Sequence, residues 1–484
     1  MKSLTRVNQV NNKPMAKKYS TAAVFLLASL AFSVSAQNSG QTNTGESPLF
    51  RGEQLLMTGS YAAATDIFQM ADGLDRNEGL VGASKAFAMM GNYQEAMSVV
   101  ESAIEDDEYA SFPLLSTQLA EVKRAVGESK EALEILESVV AGLAEPPVRT
   151  LVQYGSLLDF VGQKQIAFSI LDQAVQRYNN GLVFASEDVA MVALASWLMG
   201  NFHDANSLFN EATRANPNNL EAHSLWGDLF LEKYNASDAE RSYQEALDIN
   251  GRYVPALVGM ANVVGDERAL QRALAINPNS IPAMETYGQL LMVNGREEEA
   301  QDYFERVLAL NPESLKTLSV LASQAALEER SADYEGYLAQ VESFSPNNST
   351  FLGNVADSFG NNYLFDEAVE FARAAIATDP QYWQGYTVLG SNLIRLGEEE
   401  EGKTNLEIGY ENDPFNVLTS NMLKVFDTLE TYATLESEHF KVHMSENDAD
   451  VLWPYLEPLL EESWVTLTAK YGFEPEGPIL IEVF

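Results

Sequence analysis

From Ser47 to about Asn416 apolar residues return at every third and fourth position, the spacing that gives a helix one buried face. Each stretch is interrupted near the middle of a longer unit by Gly or Asn, as at Gly91-Asn92, Gly200-Asn201, Gly295 and Gly397, where a turn is predicted. Small residues mark the first half of each unit, from Gly52, Ser84 and Ala120 through Gly227 and Gly259 to Gly288, Ala322, Ala356 and Gly390. Twelve residues after most of these comes a second small residue, such as Ala64, Ala96, Ala239, Ala300 or Gly402, and four further on a bulky one, such as Phe68, Tyr243, Phe304 or Leu406. Exceptions stand near Asp266 and at Tyr334. A proline closes the unit, mostly as Asn-Pro or Asp-Pro, and Pro278, Pro312, Pro346, Pro380 and Pro414 are spaced by 34 residues.

This pattern predicts two antiparallel helices per unit. A small residue allows the helices to cross closely, the bulky residue fills the hollow beside it, and Pro stops the second helix because it lacks an amide hydrogen and restricts its predecessor. A single hairpin of this kind cannot bury its apolar face, so units must stack. The expected fold is an all-α solenoid of about eleven hairpins, each touching only its neighbours in line. The unit from Gly251 to Pro278 is short, with two helices meeting near Val264-Gly265-Asp266, and an irregular step is expected there.

After Pro414 the pattern changes. A capping helix is expected near Val417–Leu429, then a strand over Glu438–Met444 with period-two alternation, a helix from Pro454 to Tyr471 ending at Gly472, and a strand over Pro478–Phe484. Strand, helix and strand in so few residues form an incomplete α/β segment, so the chain is expected to stop inside a second domain. His439 and His443 would share the exposed face of the first strand about 13 Å apart, at about 3.3 Å per residue, too far to chelate together.

The first 36 residues carry Lys2, Arg6, Lys13, Lys17 and Lys18 without an acid, then the apolar run Ala22–Val34 and a small-residue cleavage signal before Gln37, as in an export signal. Either Met1 or Met15 would serve as the start. The expected organisation is a signal segment 1–36, a linker 37–46, a solenoid 47–416, a capping helix and linker 417–434, and the α/β segment 435–484. Of the 484 residues, 30 are Lys or Arg and 70 Asp or Glu, a net charge of -40 that opposes binding to nucleic acid. With no Cys, a disulfide framework, a thiolate metal site and a cysteine nucleophile are excluded.

Trp226-Gly227 with Phe230, Ala239, Tyr243 and Ala246, and Leu389-Gly390 with Leu393, Gly402, Leu406 and Pro414, resemble the tetratricopeptide repeat family. The resemblance implies a right-handed superhelix with first helices lining a concave groove for peptides or proteins. Some members grip a carboxylate with Lys and Asn one turn apart on that helix. The corresponding pairs here are Ser224 and Asp228, Glu285 and Gln289, Gly353 and Asp357, and Thr387 and Ser391, which form no such clamp. Asp228, Glu285 and Asp357, with Ser224, Gln289, Thr387 and Ser391, are the candidate groove residues, and an acidic groove suits a cationic partner.

The stretch Gly397–Thr404 fits the spacing of a phosphate-binding loop but offers four consecutive Glu and follows a helix rather than a strand, so nucleotide binding is not expected. No catalytic residue, cofactor or metal site is assigned, and no membrane span is expected in the mature chain. The tail, with "HFKVHM", "LEESWVTLTAKYGFEP" and "PILIEVF", is similar to the lead-in of gluzincin-type metallopeptidase domains, without their His-Glu-x-x-His motif. That resemblance implies an exported scaffold, periplasmic or secreted and bacterial, that recruits substrate for a zinc peptidase encoded downstream. The alternative is a non-enzymatic assembly or adaptor protein of the cell envelope.

Overall fold

The computed structural model of the protein describes residues 47–105, 112–429, 431–475 and 477–483, so the expected signal segment and linker, residues 1–46, lie outside the described residues. Eleven helix hairpins follow one another. Repeats 1 to 4 pair Pro48–Met57 with Tyr61–Phe68, Arg76–Met89 with Tyr93–Ile104, Pro113–Ala125 with Ser129–Gly142, and Val148–Phe160 with Lys164–Asn179. Repeats 5 to 8 pair Ser186–Leu198 with Phe202–Ala215, Leu220–Glu232 with Ala236–Ile249, Val254–Val264 with Glu267–Ile276, and Ile281–Val293 with Glu297–Leu310. Repeats 9 to 11 pair Leu315–Leu327 with Ser331–Phe344, Ser349–Asn361 with Phe365–Thr378, and Trp383–Arg395 with Glu399–Asn412. Val417–Leu429 then caps the array. Repeat 7 has helices of 11 and 10 residues joined through Gly265 at φ 68°.

The small-residue marks are steric. A Cβ on Gly52 would stand 2.5 Å from the ring of Phe68, one on Gly288 2.5 Å from that of Phe304, and one on Gly155 2.6 Å from Leu171. Tyr243 is wedged between two first helices, its own and the next, and a Cβ on either Gly227 or Gly259 would overlap its ring. These rings are fully buried, so a methyl group there has nowhere to go. Helix starts are secured by Asn219, Asn235, Asp266, Ser280, Ser314 and Asn348, whose side chains accept backbone amides, each worth about 1 kcal/mol. The acidic runs Glu297–Glu299 and Glu399–Glu401 occupy the first turns of second helices, where the helix dipole favours them.

The expectation that repeats touch only their neighbours is overturned. The superhelix is wound so tightly that the mid-repeat turn of one repeat meets the junction that closes the repeat five further along. Asn250 Nδ2 donates to Tyr61 Oη at 3.2 Å, Asn277 Nδ2 to the Ala88 carbonyl at 3.3 Å, Asn311 Nδ2 to the Ala125 carbonyl at 3.2 Å, and Ser345 Oγ to the Phe160 carbonyl at 2.5 Å. Phe160 stacks on Phe344 at 5.6 Å. Lys164 pairs with Asp379, and the buried Lys233 reaches Asp413 at 2.7 Å while lying over the Phe202 ring.

The Asn of the Asn-Pro junction therefore has two tasks. In Asn277 and Asn311 the side-chain oxygen accepts the amide two residues on, which shapes the junction, and the amide group reaches the underlying turn. Gly59, Gly91, Gly127 and Gly162 form those underlying turns at φ 78°, 78°, 78° and 81°. A Cβ on Gly59 or Gly127 would come within 2.6 Å of Asn250 Oδ1 or 2.5 Å of Asn311 Oδ1. Gly295 and Gly397 have the same left-handed backbone but open space around them, and Tyr234, Glu329 and Tyr363 hold that conformation without being Gly.

The C-terminal segment is a three-stranded sheet in the order β1-β2-β3, with β1 Tyr432–Glu436, β2 Phe440–Ser445 and β3 Ile479–Val483. β1 runs antiparallel to β2, and β2 parallel to β3 through the helix Glu446–Tyr471. Three expectations are corrected. Residues 432–434, expected as linker, form a strand together with 435–436 because β2 offers them a free edge. The helix begins at Glu446 and passes through Pro454 and Pro458, which lie on one exposed side four residues apart, so the backbone carbonyls they leave unpaired face water. His439 and His443 share no exposed face. His439 precedes β2 and stacks on Trp464 at 4.1 Å, held at Nδ1 by Glu461 at 2.6 Å, whereas His443 is buried beside the second helix of repeat 11. Val442 and Met444 on the other face of β2 pack with Trp453, Leu456, Leu460 and Trp464 of the long helix.

Candidate functional site

The first superhelical turn encloses a lumen of about 590 Å³. Its walls come from the first helices of repeats 1 to 5, the junction and helix start of repeat 6, and the junction before repeat 7. Two positions of the repeat supply its charges. One residue past the small mark come Glu53, Lys85 and Glu121 of repeats 1 to 3, and six residues before it come Arg149, Glu187 and Glu221 of repeats 4 to 6. Superhelical winding turns the first position inward on one side of the lumen and the second on the other, so the six side chains meet although they span 168 residues.

Arg149 is saturated. Its Nε and Nη2 donate to Glu121 at 2.6 and 3.0 Å, and its Nη1 and Nη2 to Glu221 at 2.9 and 3.1 Å. Burial disfavours its charge, but the two carboxylates outweigh this and hold the guanidinium well above its ordinary value. Burial alone would raise Glu221, yet Arg149 keeps it below the usual carboxylate value. A buried triad of this kind is structural, since removing one member strands the others at a cost of about 3–5 kcal/mol.

Lys85 is different. It has no hydrogen bond or ion pair within 4.0 Å among the described residues, and burial, with Arg149 adding to it, pulls its ammonium below the ordinary value. Glu187 accepts from Asn216 Nδ2 at 3.1 Å, and the Glu53 carboxyl is raised by burial and by Glu78 and Glu187. Four carboxylates against two cations leave the ring two charges negative. Leu56, Met57, Met89 and Val122 supply apolar wall between the charges, and Tyr61, Tyr93 and Tyr253 supply aromatic edges. The chemistry these side chains offer is recognition by charge, hydrogen bonding and apolar contact.

None of the seven residues expected in the groove lines this lumen. Ser224 and Thr387 are buried between helices, Thr387 against Thr419 at 2.8 Å. Asp228 accepts from Tyr243 Oη at 2.6 Å, and burial lifts its carboxyl to about 6 despite that bond. Glu285 is sealed under repeat 9, accepting from Ser314 at 2.5 Å and Thr317 at 3.4 Å, beside a smaller hollow of about 160 Å³. Ser391 bonds the Thr387 carbonyl at 2.7 Å, and Gln289 is half-buried. Burial also lifts Asp357 to about 6, Arg395 opposing it, and its charge is felt by Tyr234 and Tyr382. Ser224, Glu285 and Thr387 occupy a position that faces the next repeat. Asp228, Gln289, Asp357 and Ser391 occupy the same position as Glu53, Lys85 and Glu121, but in later repeats.

The tetratricopeptide repeat family model matches residues 281–314, the eighth hairpin with the junction that follows it. Tetratricopeptide repeats imply a protein-binding scaffold. No curated protein matches the chain. Among solved structures the chain is similar to a monomeric mutant of IFIT1 with m7Gppp-AAAA, at 12% identity and a TM-score of 0.40, covering 75% of this chain and 87% of that one. Among the described residues no helix is long and apolar enough to cross a membrane.

Proposed function

We propose that the protein is a scaffold that holds an extended polypeptide segment in the lumen of its first superhelical turn. The observation that carries this reading is Lys85, a lysine without an ion-pair partner among the described residues, in a ring that is two charges negative with Lys85 included. A peptide satisfies both signs: a carbonyl or carboxylate oxygen meets Lys85, and a basic side chain meets Glu53 and Glu187. The Leu, Met and Tyr wall takes apolar side chains between them. The bound class is therefore a cationic or mixed-charge segment, and the acidic surface adds long-range attraction that salt will weaken.

The test is fluorescence anisotropy with labelled decapeptides of Gly, Ser and Tyr carrying either one Lys or one Glu. The Lys peptide should bind more tightly, and Glu53→Gln with Glu187→Gln should erase the preference, while Lys85→Ala should weaken both peptides. Equal binding of the two peptides, or binding indifferent to all three substitutions, would overturn the assignment.

The finer reading puts this scaffold outside the cytoplasm, on the strength of the charge and hydropathy pattern of residues 1–36. Delivery of the held segment to a zinc peptidase domain rests on the likeness of residues 439–484 to such a domain's lead-in.

A further inference from the structure

We propose that Glu399, His443 and Glu482 form a divalent-cation site, matched to Zn²⁺, that fastens the C-terminal sheet to the last repeat. Glu399 opens the second helix of repeat 11, His443 lies on β2, and Glu482 stands beside it in register on β3. One ligand atom from each lies within 4.8 Å of the others. They are brought together from two structural layers, a helix of the solenoid and two strands, rather than from one charged surface.

The independent observation is His443 itself. It is only 9% exposed, and its Nδ1 is buried without a hydrogen-bond partner among the described residues. That nitrogen lies 3.7 Å from Glu399 Oε1, longer than a hydrogen bond, so the pair is not explained by a shared proton. Two tetrahedral ligands about 2.1 Å from Zn²⁺ stand about 3.4 Å apart, close to this separation. Lys441 Nζ donates to the other oxygen of Glu399 at 3.0 Å, which fixes the carboxylate with Oε1 toward His443. Glu482, partly buried on β3, can complete the third contact, and water supplies the fourth. One imidazole with two carboxylates suits Zn²⁺ better than Mg²⁺, which prefers oxygen donors in octahedral array. His439 is outside the set, because Glu461 holds its Nδ1.

The full chain, stripped with a chelator and dialysed, is titrated calorimetrically with ZnCl₂ and separately with MgCl₂. One Zn²⁺ per chain should bind, with Mg²⁺ at least about tenfold weaker, and Zn²⁺ should slow hydrogen exchange in 432–445 and 479–483. Glu482→Gln, a near-isosteric change on a partly buried side chain, should weaken Zn²⁺ at least about tenfold with unfolding by urea unchanged, and His443→Gln should abolish it. His439→Gln should bind as the parent chain does. Absence of Zn²⁺ binding, equal binding by Glu482→Gln, or loss in His439→Gln alone would overturn the proposal.

Discussion

Tyr243 carries two functions at the scale of single residues. Its ring fills the crossing between Gly227 and Gly259, and its hydroxyl donates to the carboxyl of Asp228 at 2.6 Å. Burial lifts that carboxyl from 3.8 to about 6, so between those values the folded chain keeps a proton that the unfolded chain releases. Stability from this group is full below about pH 4 and is lost as pH rises through 6. Asp228→Asn keeps an acceptor for Tyr243 and removes the ionisation. Urea unfolding at pH 4 should show little change, and at pH 8 a gain of up to about 3 kcal/mol at 1.36 kcal/mol per pKa unit. A loss at pH 8 would mean that the charged hydrogen bond outweighs burial. The inward position one residue past the small mark was readable from the sequence, since Asp228 and Glu53 share it. Which repeats turn that position into a lumen was not readable, because a local spacing carries no information about winding. The signal available was the alternation of sign at one repeat position, Glu53, Lys85, Glu121, in a chain with so few bases.

The mid-repeat turns show the same limit at the level of elements. A glycine there reads as a turn former in every repeat, and the sequence does not distinguish those that also receive a junction from above. The structure does. Gly295→Ala should cost only the left-handed backbone term, about 1–2 kcal/mol. Gly127→Ala adds a Cβ 2.5 Å from Asn311 Oδ1 and 2.9 Å from Pro312 Cδ, and should cost about 1–3 kcal/mol more. Thermal or urea unfolding of the two variants compares them directly, and equal losses would mean that the turns do not meet in solution. The Asn-Pro pairs were legible as helix stops, but their reach across the superhelix was not, because Asn277 and Ala88 stand 189 residues apart. Strand β1 was missed for a simpler reason. Five residues with weak alternation become a strand only because β2 is there to pair with them.

For the whole molecule, the hairpins, their number and the cap follow from the period, whereas pitch accumulates from small rotations at every interface and is set by packing. That pitch closes the first turn into a lumen, brings six charges from six repeats together, and stacks the second turn on the first. Zero-length carbodiimide coupling followed by peptide mass spectrometry reads it without altering the chain, because Lys164 and Asp379 form an ion pair across the turns with Lys164 half exposed. The account predicts an amide-linked pair joining the Lys164 and Asp379 peptides, 215 residues apart, in monomeric protein. Cross-links confined to the same or adjacent repeats, with none between the two superhelical turns, would contradict it.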